Sequence, residues 1–349
     1  MNNNNSNKLL VSSSPHIQNY ESTKSIMWTV IIFLIPAALF GVLSFGFNAL
    51  NIIVASIVTS VITEIIAQKL RNQRITINDG SAVLTGLLLA MTLAPSVPLY
   101  IPIISAIFAI GIVKHAFGGL GQNWANPAIA GRIFAFVAWG KEMTTWSTPF
   151  TLDGTTAATP LLAVKSALME GISSNFSGPL SLLQSLPKEI LKIDIDYTKL
   201  FFGYKGGSIG EVSIFLLLIG ALYLLYRGII TIDIPFSFIG TVVIIAWIFD
   251  GTLYGKGFFT GDFVFHLLTG GIVLGAFFMA TDMVTTPITK KGRIIFGIGC
   301  GFLTMIIRMK GGYPEGVSLA ILFMNMLTPA IDRFVKIKPF GFEKSKEVK

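Results

Sequence analysis

The chain has 349 residues, 52% of them apolar and only 13% charged, and its mean hydropathy is +0.71. Soluble domains carry about 25% charged residues because their surface faces water, so this composition excludes a soluble globular protein and gives the surface to lipid. The net charge of +8 comes from short basic clusters between apolar runs, with no basic domain or arm, which argues against a nucleic-acid partner.

Residues Met1 to Asn19 are polar, and no cleavable signal peptide is visible in them. A hydrocarbon core of about 30 Å takes roughly 20 helical residues rising about 1.5 Å each. Apolar runs predict ten transmembrane helices, at Ile26–Phe45, Ala49–Gln68, Ser81–Leu93, Leu99–Val113, Pro127–Trp139, Ser208–Tyr226, Ile234–Phe249, Phe263–Ala280, Ile294–Ile307 and Val317–Ile331. The third, fifth and ninth are short for full spans, and short segments include broken helices that line a cavity. The fold class expected is an all-α polytopic membrane protein. Cys300, set among apolar residues and glycines, reads as a packing residue, and one thiol cannot hold an iron–sulfur cluster.

Basic residues orient these spans. With a cytoplasmic N-terminus, the inside holds Lys69, Arg71, Arg74, Lys114, Arg227, Lys290, Lys291, Arg293, Arg333, Lys336 and Lys338, whereas short outside loops hold Lys256, Arg308 and Lys310. The C-terminus is then cytoplasmic too. The stretch 140–207 also carries lysines, but long loops translocate largely regardless of charge, so it is expected to face away from the cytoplasm.

Val83-Leu84-Thr85-Gly86 resembles Leu267-Leu268-Thr269-Gly270, and Gly118-Gly119 matches Gly311-Gly312, with chance a rival because Leu and Gly are common here. Two repeats of five spans insert with opposite topology, and inverted repeats place a site or pathway between their halves. The expected organisation is a cytoplasmic segment 1–25, a first repeat 26–139, an extracytoplasmic loop 140–207, a second repeat 208–332 and a cytoplasmic tail 333–349.

Ionisable residues near the membrane are costly to bury and often functional. Arg132 in the fifth span either pairs with a helix-end carbonyl or contacts a bound ligand, or lies near an interface with its head in the headgroups. Asp282, Thr285 and Thr286, beside Pro287, either bind a ligand on the cytoplasmic side or cap the next helix. Asp250, Asp262 and Glu315 are ion-path candidates or ordinary loop carboxylates. His16, His115 and His266 lie far apart and read as helix-end or packing residues.

The long loop reads Thr151-Leu152-Asp153-Gly154-Thr155-Thr156-Ala157-Ala158-Thr159-Pro160-Leu161. By composition alone it is a hydroxyl-rich turn with local hydrogen bonds. It also resembles the pattern Asp-x-x-Ser/Thr-Gly/Ala-Ala-Thr, recognised by the flavin transferase that joins FMN to threonine through a phosphoester. Asp153, Thr156, Ala157, Ala158 and Thr159 fit in order, with Thr159 on the acceptor. Ala157 stands where Gly is commoner, and Leu161 where a second hydroxyl often follows.

Ser14-Pro15-His16, the run Lys114 to Asn123, Asn126-Pro127-Ala128, the run Ala280 to Pro287, Lys290-Lys291-Gly292-Arg293 and the run Tyr313 to Ser318 resemble the D subunits of Rnf electron-transport complexes in the same order. The resemblance covers nearly all of the chain from Ser14 to about Arg333. It implies electron relay through covalent FMN on Thr159, in a complex coupling electron flow between reduced ferredoxin and NAD to sodium or proton movement. Implied partners are the other Rnf subunits (A, B, C, E and G), the flavin transferase and membrane lipid, in a bacterial or archaeal plasma membrane. It permits a second, noncovalent flavin such as riboflavin. By the resemblance the partners supply the iron–sulfur clusters and nucleotide sites, and no glycine-rich dinucleotide fingerprint on a strand–helix unit is visible in this chain, which agrees with that division. The related B subunit of the sodium-pumping NADH:quinone reductase usually has a longer N-terminal region and fits less well. A small-solute permease or channel built on an inverted repeat, or a scaffold with Thr159 unmodified, are the rivals from other classes.

Overall fold

A computed structural model of the chain describes residues 22–150, 158–169, 178–185, 196–313 and 315–335. Among these residues there are helices and no β-strand. Helix α1 (Thr23–Phe45) starts at Ser22, whose hydroxyl accepts from the Ser25 amide at 3.2 Å, and a single residue separates it from α2 (Phe47–Leu70). Next come α3 (Ser81–Met91), α4 (Tyr100–Ile107, continued by a π-helical stretch Phe108–His115) and α5 (Pro127–Ala138). The middle stretch contributes α6 (Gly140–Met143), α7 (Pro160–Met169), α8 (Pro179–Ser185) and α9 (Tyr197–Phe202). The second half holds α10 (Ile214–Tyr226) and α11 (Asp233–Leu253), which passes through π-helical turns at Ala246–Asp250. The last helices are α12 (Phe263–Leu268), α13 (Ile272–Leu274, continued by π-helical Gly275–Met279), α14 (Lys290–Lys310) and α15 (Val317–Phe334).

Helices α1, α2, α11, α14 and α15 are long and apolar enough to cross a membrane. Their outward faces display Leu39, Leu43, Val54, Ile62, Ile66 and Phe302, side chains that lipid solvates as well as a protein interior does. Small residues, Ala37, Ala38, Gly41, Ala49, Ser56 and Ser60, line the inward faces of α1 and α2, where close helix approach replaces a hydrophobic driving force.

Each predicted run coincides with helix, but three differ in extent. The sixth begins six residues later than its apolar run, because the Ile209 amide donates to Leu93 O (3.1 Å) and the Gly210 amide to Met91 O (2.7 Å). That segment completes the carbonyl end of α3 before α10 starts at its Ser213 cap. The eighth run is broken between α12 and α13 at Gly270 and Gly271, whose φ values are 67° and 65°. A Cβ on Gly271 would collide with Glu211 Oε1, so glycine is required there for both conformation and space. The ninth run, expected to be short, is a 21-residue helix continuing through Arg308. Arg308 is buried, and its guanidinium caps other helix carbonyls instead of reaching for water.

Candidate functional site

Thr159 stands immediately before α7, with Pro160 at the first helical position, where a missing amide costs nothing. Its hydroxyl accepts from the Leu162 amide at 3.2 Å and its carbonyl from the Ala163 amide at 2.9 Å, so Thr159 caps the helix. Its side chain is only 4% exposed. Asp153 and Thr156 lie outside the described residues, and Ala158 is half-buried beside Thr159.

The crevice at Thr159 is lined by Lys205, Gly206, Glu211, Thr269, Gly270 and Glu315. Lys205 in this lining and Arg308 and Lys165 beyond it each donate to backbone carbonyls. Lys205 Nζ donates to Leu268 O at 2.5 Å. Arg308 donates through Nη1 to His266 O and through Nη2 to Thr269 O and Gly270 O, each at 2.8 Å. Lys165, on α7 itself, donates to Tyr313 O (2.8 Å), Arg308 O (3.2 Å) and Ile307 O (3.3 Å), which fastens α7 onto the end of α14. Burial pushes the Lys205 ammonium down to about 8 and lowers Lys165 as well.

Arg132 reaches neither a carbonyl nor the interface. Its guanidinium donates to Glu315 Oε2 and Ser318 Oγ, both at 2.5 Å, joining α5 to the start of α15. The pair borders the Thr159 crevice through Glu315.

A second site lies among α1, α3, α5, α10 and α13, as a cavity of about 120 Å³. Its polar groups are Ser81, Thr85, Lys114, Asn123, Asn126, Thr281 and Asp282, set among apolar side chains such as Leu88 and Phe277. Asn126 Oδ1 caps α5 by accepting from the Ala128 amide at 3.0 Å, while its Nδ2 donates to Met279 O at 3.2 Å across the two halves. Of the expected trio, Asp282 lines the cavity and Thr285 and Thr286 do not. Thr285 Oγ1 donates to Asp282 Oδ2 (3.3 Å) and Thr286 Oγ1 to Asp282 O (2.9 Å), so both shape the turn that presents Asp282. Burial raises the Asp282 carboxyl, and its bonds from Val284 and Thr285 oppose that.

Lys114 is not the loop charge its place in the sequence suggested. It is 2% exposed, and its Nζ donates to Glu64 Oε2 (2.6 Å) and Ser81 Oγ (2.7 Å). His115 Nε2 lies 3.8 Å from Glu64 Oε1. His266 is buried and paired too, with Nε2 3.0 Å from Asp250 Oδ1, whereas His16 lies outside the described residues. Sequence reasoning gave no role to Glu64, Lys205, Glu211, Asn123 or Asn126. An acid inside the apolar run of α2 was the available signal for Glu64, and the Gln122–Pro127 motif was the signal for the two asparagines.

Residues 10–341 match the NQR2, RnfD, RnfE family. The chain is 49% identical over 337 residues to the D subunit of the proton-translocating ferredoxin:NAD(+) oxidoreductase complex of Clostridium ljungdahlii, covering 96% of this chain and 97% of that one. It is 44% identical over 341 residues to the D subunit of the Na(+)-translocating ferredoxin:NAD(+) oxidoreductase complex of Acetobacterium woodii, covering 97% of each. It is 38% identical over 339 residues to the D subunit of an ion-translocating oxidoreductase complex of Stutzerimonas stutzeri, covering 92% of each. With a family match along nearly its whole length and relatives of this identity, the chain belongs to the NQR2, RnfD, RnfE family.

Proposed function

We infer that this chain is the D-type membrane subunit of an ion-translocating ferredoxin:NAD+ oxidoreductase complex, and that it carries FMN joined by a phosphoester to Thr159. The carrying observation is Thr159 at the head of α7 in a crevice walled by a buried lysine. A helix N-terminus and Lys205 favour an anion at Thr159, while Glu211 and Glu315 in the same crevice oppose one, so a phosphoester there requires Glu211 neutral or Glu315 held by Arg132. When bound, the flavin supplies one- and two-electron redox chemistry. This chain's residues then do the positioning. Lys165 ties α7 to α14, Arg308 fixes the break after α12, and the Arg132–Glu315 pair closes the crevice from the α5 side. Asp153 and Thr156 would serve as the recognition residues for the transferase.

The lining of the second cavity has the chemistry for a second, noncovalent flavin, with apolar walls such as Leu88 and Phe277 for a planar ring and Asn123, Asn126 and Asp282 for its polar edge. At about 120 Å³, against the roughly 300 Å³ of a ligand pocket, its walls would have to open to admit one. Iron–sulfur and nucleotide chemistry falls to the other Rnf subunits (A, B, C, E and G).

The orientation follows from the loop charges. With Lys114 and Arg308 removed from the reckoning as buried groups, Lys69, Arg71, Arg74, Arg227, Lys290, Lys291 and Arg293 share one side, against Lys256 and Lys310 on the other. This supports cytoplasmic termini and an extracytoplasmic middle stretch; the plasma (inner) membrane and two five-helix repeats of opposite sense belong to the same reading through the family resemblance, not through the charges.

The test is in-gel flavin fluorescence after denaturing electrophoresis of the chain co-expressed with the transferase. A fluorescent band is expected for the wild type and Thr159→Ser, and none for Thr159→Ala. Fluorescence persisting in Thr159→Ala would move the attachment elsewhere. A dark wild-type band, with the transferase active on a control substrate, would remove the covalent flavin altogether.

A further inference from the structure

Asp250 and His266 form a buried acid–imidazole pair in the second half that the flavin sites do not use. Asp250 ends the π-helical turns of α11 and is 2% exposed. His266 lies in α12, the short helix that Arg308 caps. The pair is joined by the 3.0 Å contact between Nε2 and Oδ1. The carboxylate only accepts, so Nε2 carries the proton, and Nδ1 is left with a free lone pair. Nδ1 is buried and has no hydrogen-bond partner among the described residues.

An unmet buried polar atom costs about 1–3 kcal/mol, and His266 Nδ1 is one of several here, both ring nitrogens of His115 included. What sets His266 apart is its paired acid and the cavity beside it. Asp250 and His266 border a cavity of about 240 Å³. One water takes about 30 Å³ of liquid, so the cavity admits several. The other charged or titratable groups facing the pair are Tyr254 on its own helix, Arg308 and Lys310 of α14, and Lys165 of α7. From the segment before α12, the half-buried Asp262 donates its amide to Asp250 Oδ2 at 3.2 Å and accepts from the Tyr197 hydroxyl of α9. Leu161 lines both this cavity and the Thr159 crevice.

We propose that Asp250 and His266 are a proton-binding pair, at the end of the molecule bearing the 140–207 stretch. His266 Nδ1 is closed off in this conformation, so the cavity water reaches it only when the ring or the wall beside it shifts. One proton then passes from hydronium in the cavity to Nδ1; water is left behind, the imidazolium is held by the Asp250 carboxylate, release is the reverse, and no electron moves in this step. Asp250 offsets the new charge against Arg308 and Lys165 across the cavity. The assignment rests on the proposed role in an ion-translocating complex, and it gives the pair the extracytoplasmic end of a proton path.

The test uses the whole complex in inverted membrane vesicles, with a sodium ionophore present. NAD+ reduction by reduced ferredoxin and quenching of a pH-sensitive dye are followed together. In His266→Gln and Asp250→Asn the flavin band and electron transfer should persist, while protons moved per NADH fall at least fivefold; Asp250→Glu should restore them. Unchanged proton uptake per NADH in His266→Gln overturns the proposal. So do wild-type vesicles that, assayed without the ionophore, accumulate sodium and leave the dye unquenched, and so does failure of both isosteric variants to assemble, which would give the pair a structural role. Wild-type vesicles without ferredoxin-dependent electron transfer would instead strike at the functional reading on which the proposal rests.

Discussion

Replacing Lys114 by methionine tests how the first half is held together. The ammonium lies 2.6 Å from Glu64 Oε2 and 2.7 Å from Ser81 Oγ, with side-chain exposures of 2% and 1% for the ion pair. Deleting one partner strands a charge with no water to solvate it, at a cost of about 3–5 kcal/mol, whereas neutralising both at similar volume is often close to neutral. With an unfolding entropy of roughly 2.1 cal/mol/K per residue, 349 residues translate this into a fall in Tm of about 4–7 °C. The chain carries its own reporter, because Cys300 is the single cysteine and is fully buried, so a thiol-reactive dye in detergent fluoresces only as the fold opens. Lys114→Met should lose that stability, and Glu64→Gln combined with Lys114→Met should regain most of it. A double variant no more stable than Lys114→Met alone would refute the argument that an unpaired buried charge is the cause.

Further outcomes follow from other parts of the structure. In a Cys300→Ser background, Thr198→Cys on the exposed part of α9 should react with an impermeant thiol reagent added outside intact cells, and labelling from the cytoplasmic side alone would invert the topology. Gly271→Ala should destabilise by well over ~1 kcal/mol, since it combines a left-handed backbone with a Cβ that collides with Glu211, and a Tm equal to wild type would contradict the break there. Burial holds the Lys205 ammonium below its ordinary 10.5 in the fold, so the unfolded chain binds the extra proton in the window beneath that value. Stability relative to Lys205→Met should therefore rise with pH across that window and be at its lowest below it, as read by tryptophan fluorescence on heating. A flat difference curve would count against a desolvated ammonium.

What was legible in the sequence is what lipid dictates locally. Every apolar run became helix because a backbone in hydrocarbon must satisfy its own hydrogen bonds. The extents failed where a local rule met a distant partner. Arg308 reads as a helix end, yet α14 runs through it because the carbonyls freed by the break at Gly270 and Gly271 take its guanidinium. The break itself was foreshadowed by that glycine pair, but a continuous hydropathy signal hid it. Likewise Lys114 reads as a topology signal until Glu64, 50 residues earlier, is brought against it. Thr159 was singled out by its motif, which is a statement about chain chemistry and not about the fold. The Arg132–Glu315 and Asn126–Met279 contacts join residues 183 and 153 positions apart, and no periodicity records such pairings.

The burial of Thr159 sets a chronology. A hydroxyl 4% exposed and engaged by the Leu162 amide cannot enter the catalytic cleft of another enzyme. If Thr159 is the acceptor, its esterification belongs to biogenesis and comes before α7 is fastened to α14 by Lys165. A chain synthesised when flavin is scarce would close over a bare threonine, and that copy would have to reopen, or be replaced, to become competent. The supply of flavin during synthesis, more than its level afterwards, would then fix how many working copies the membrane holds.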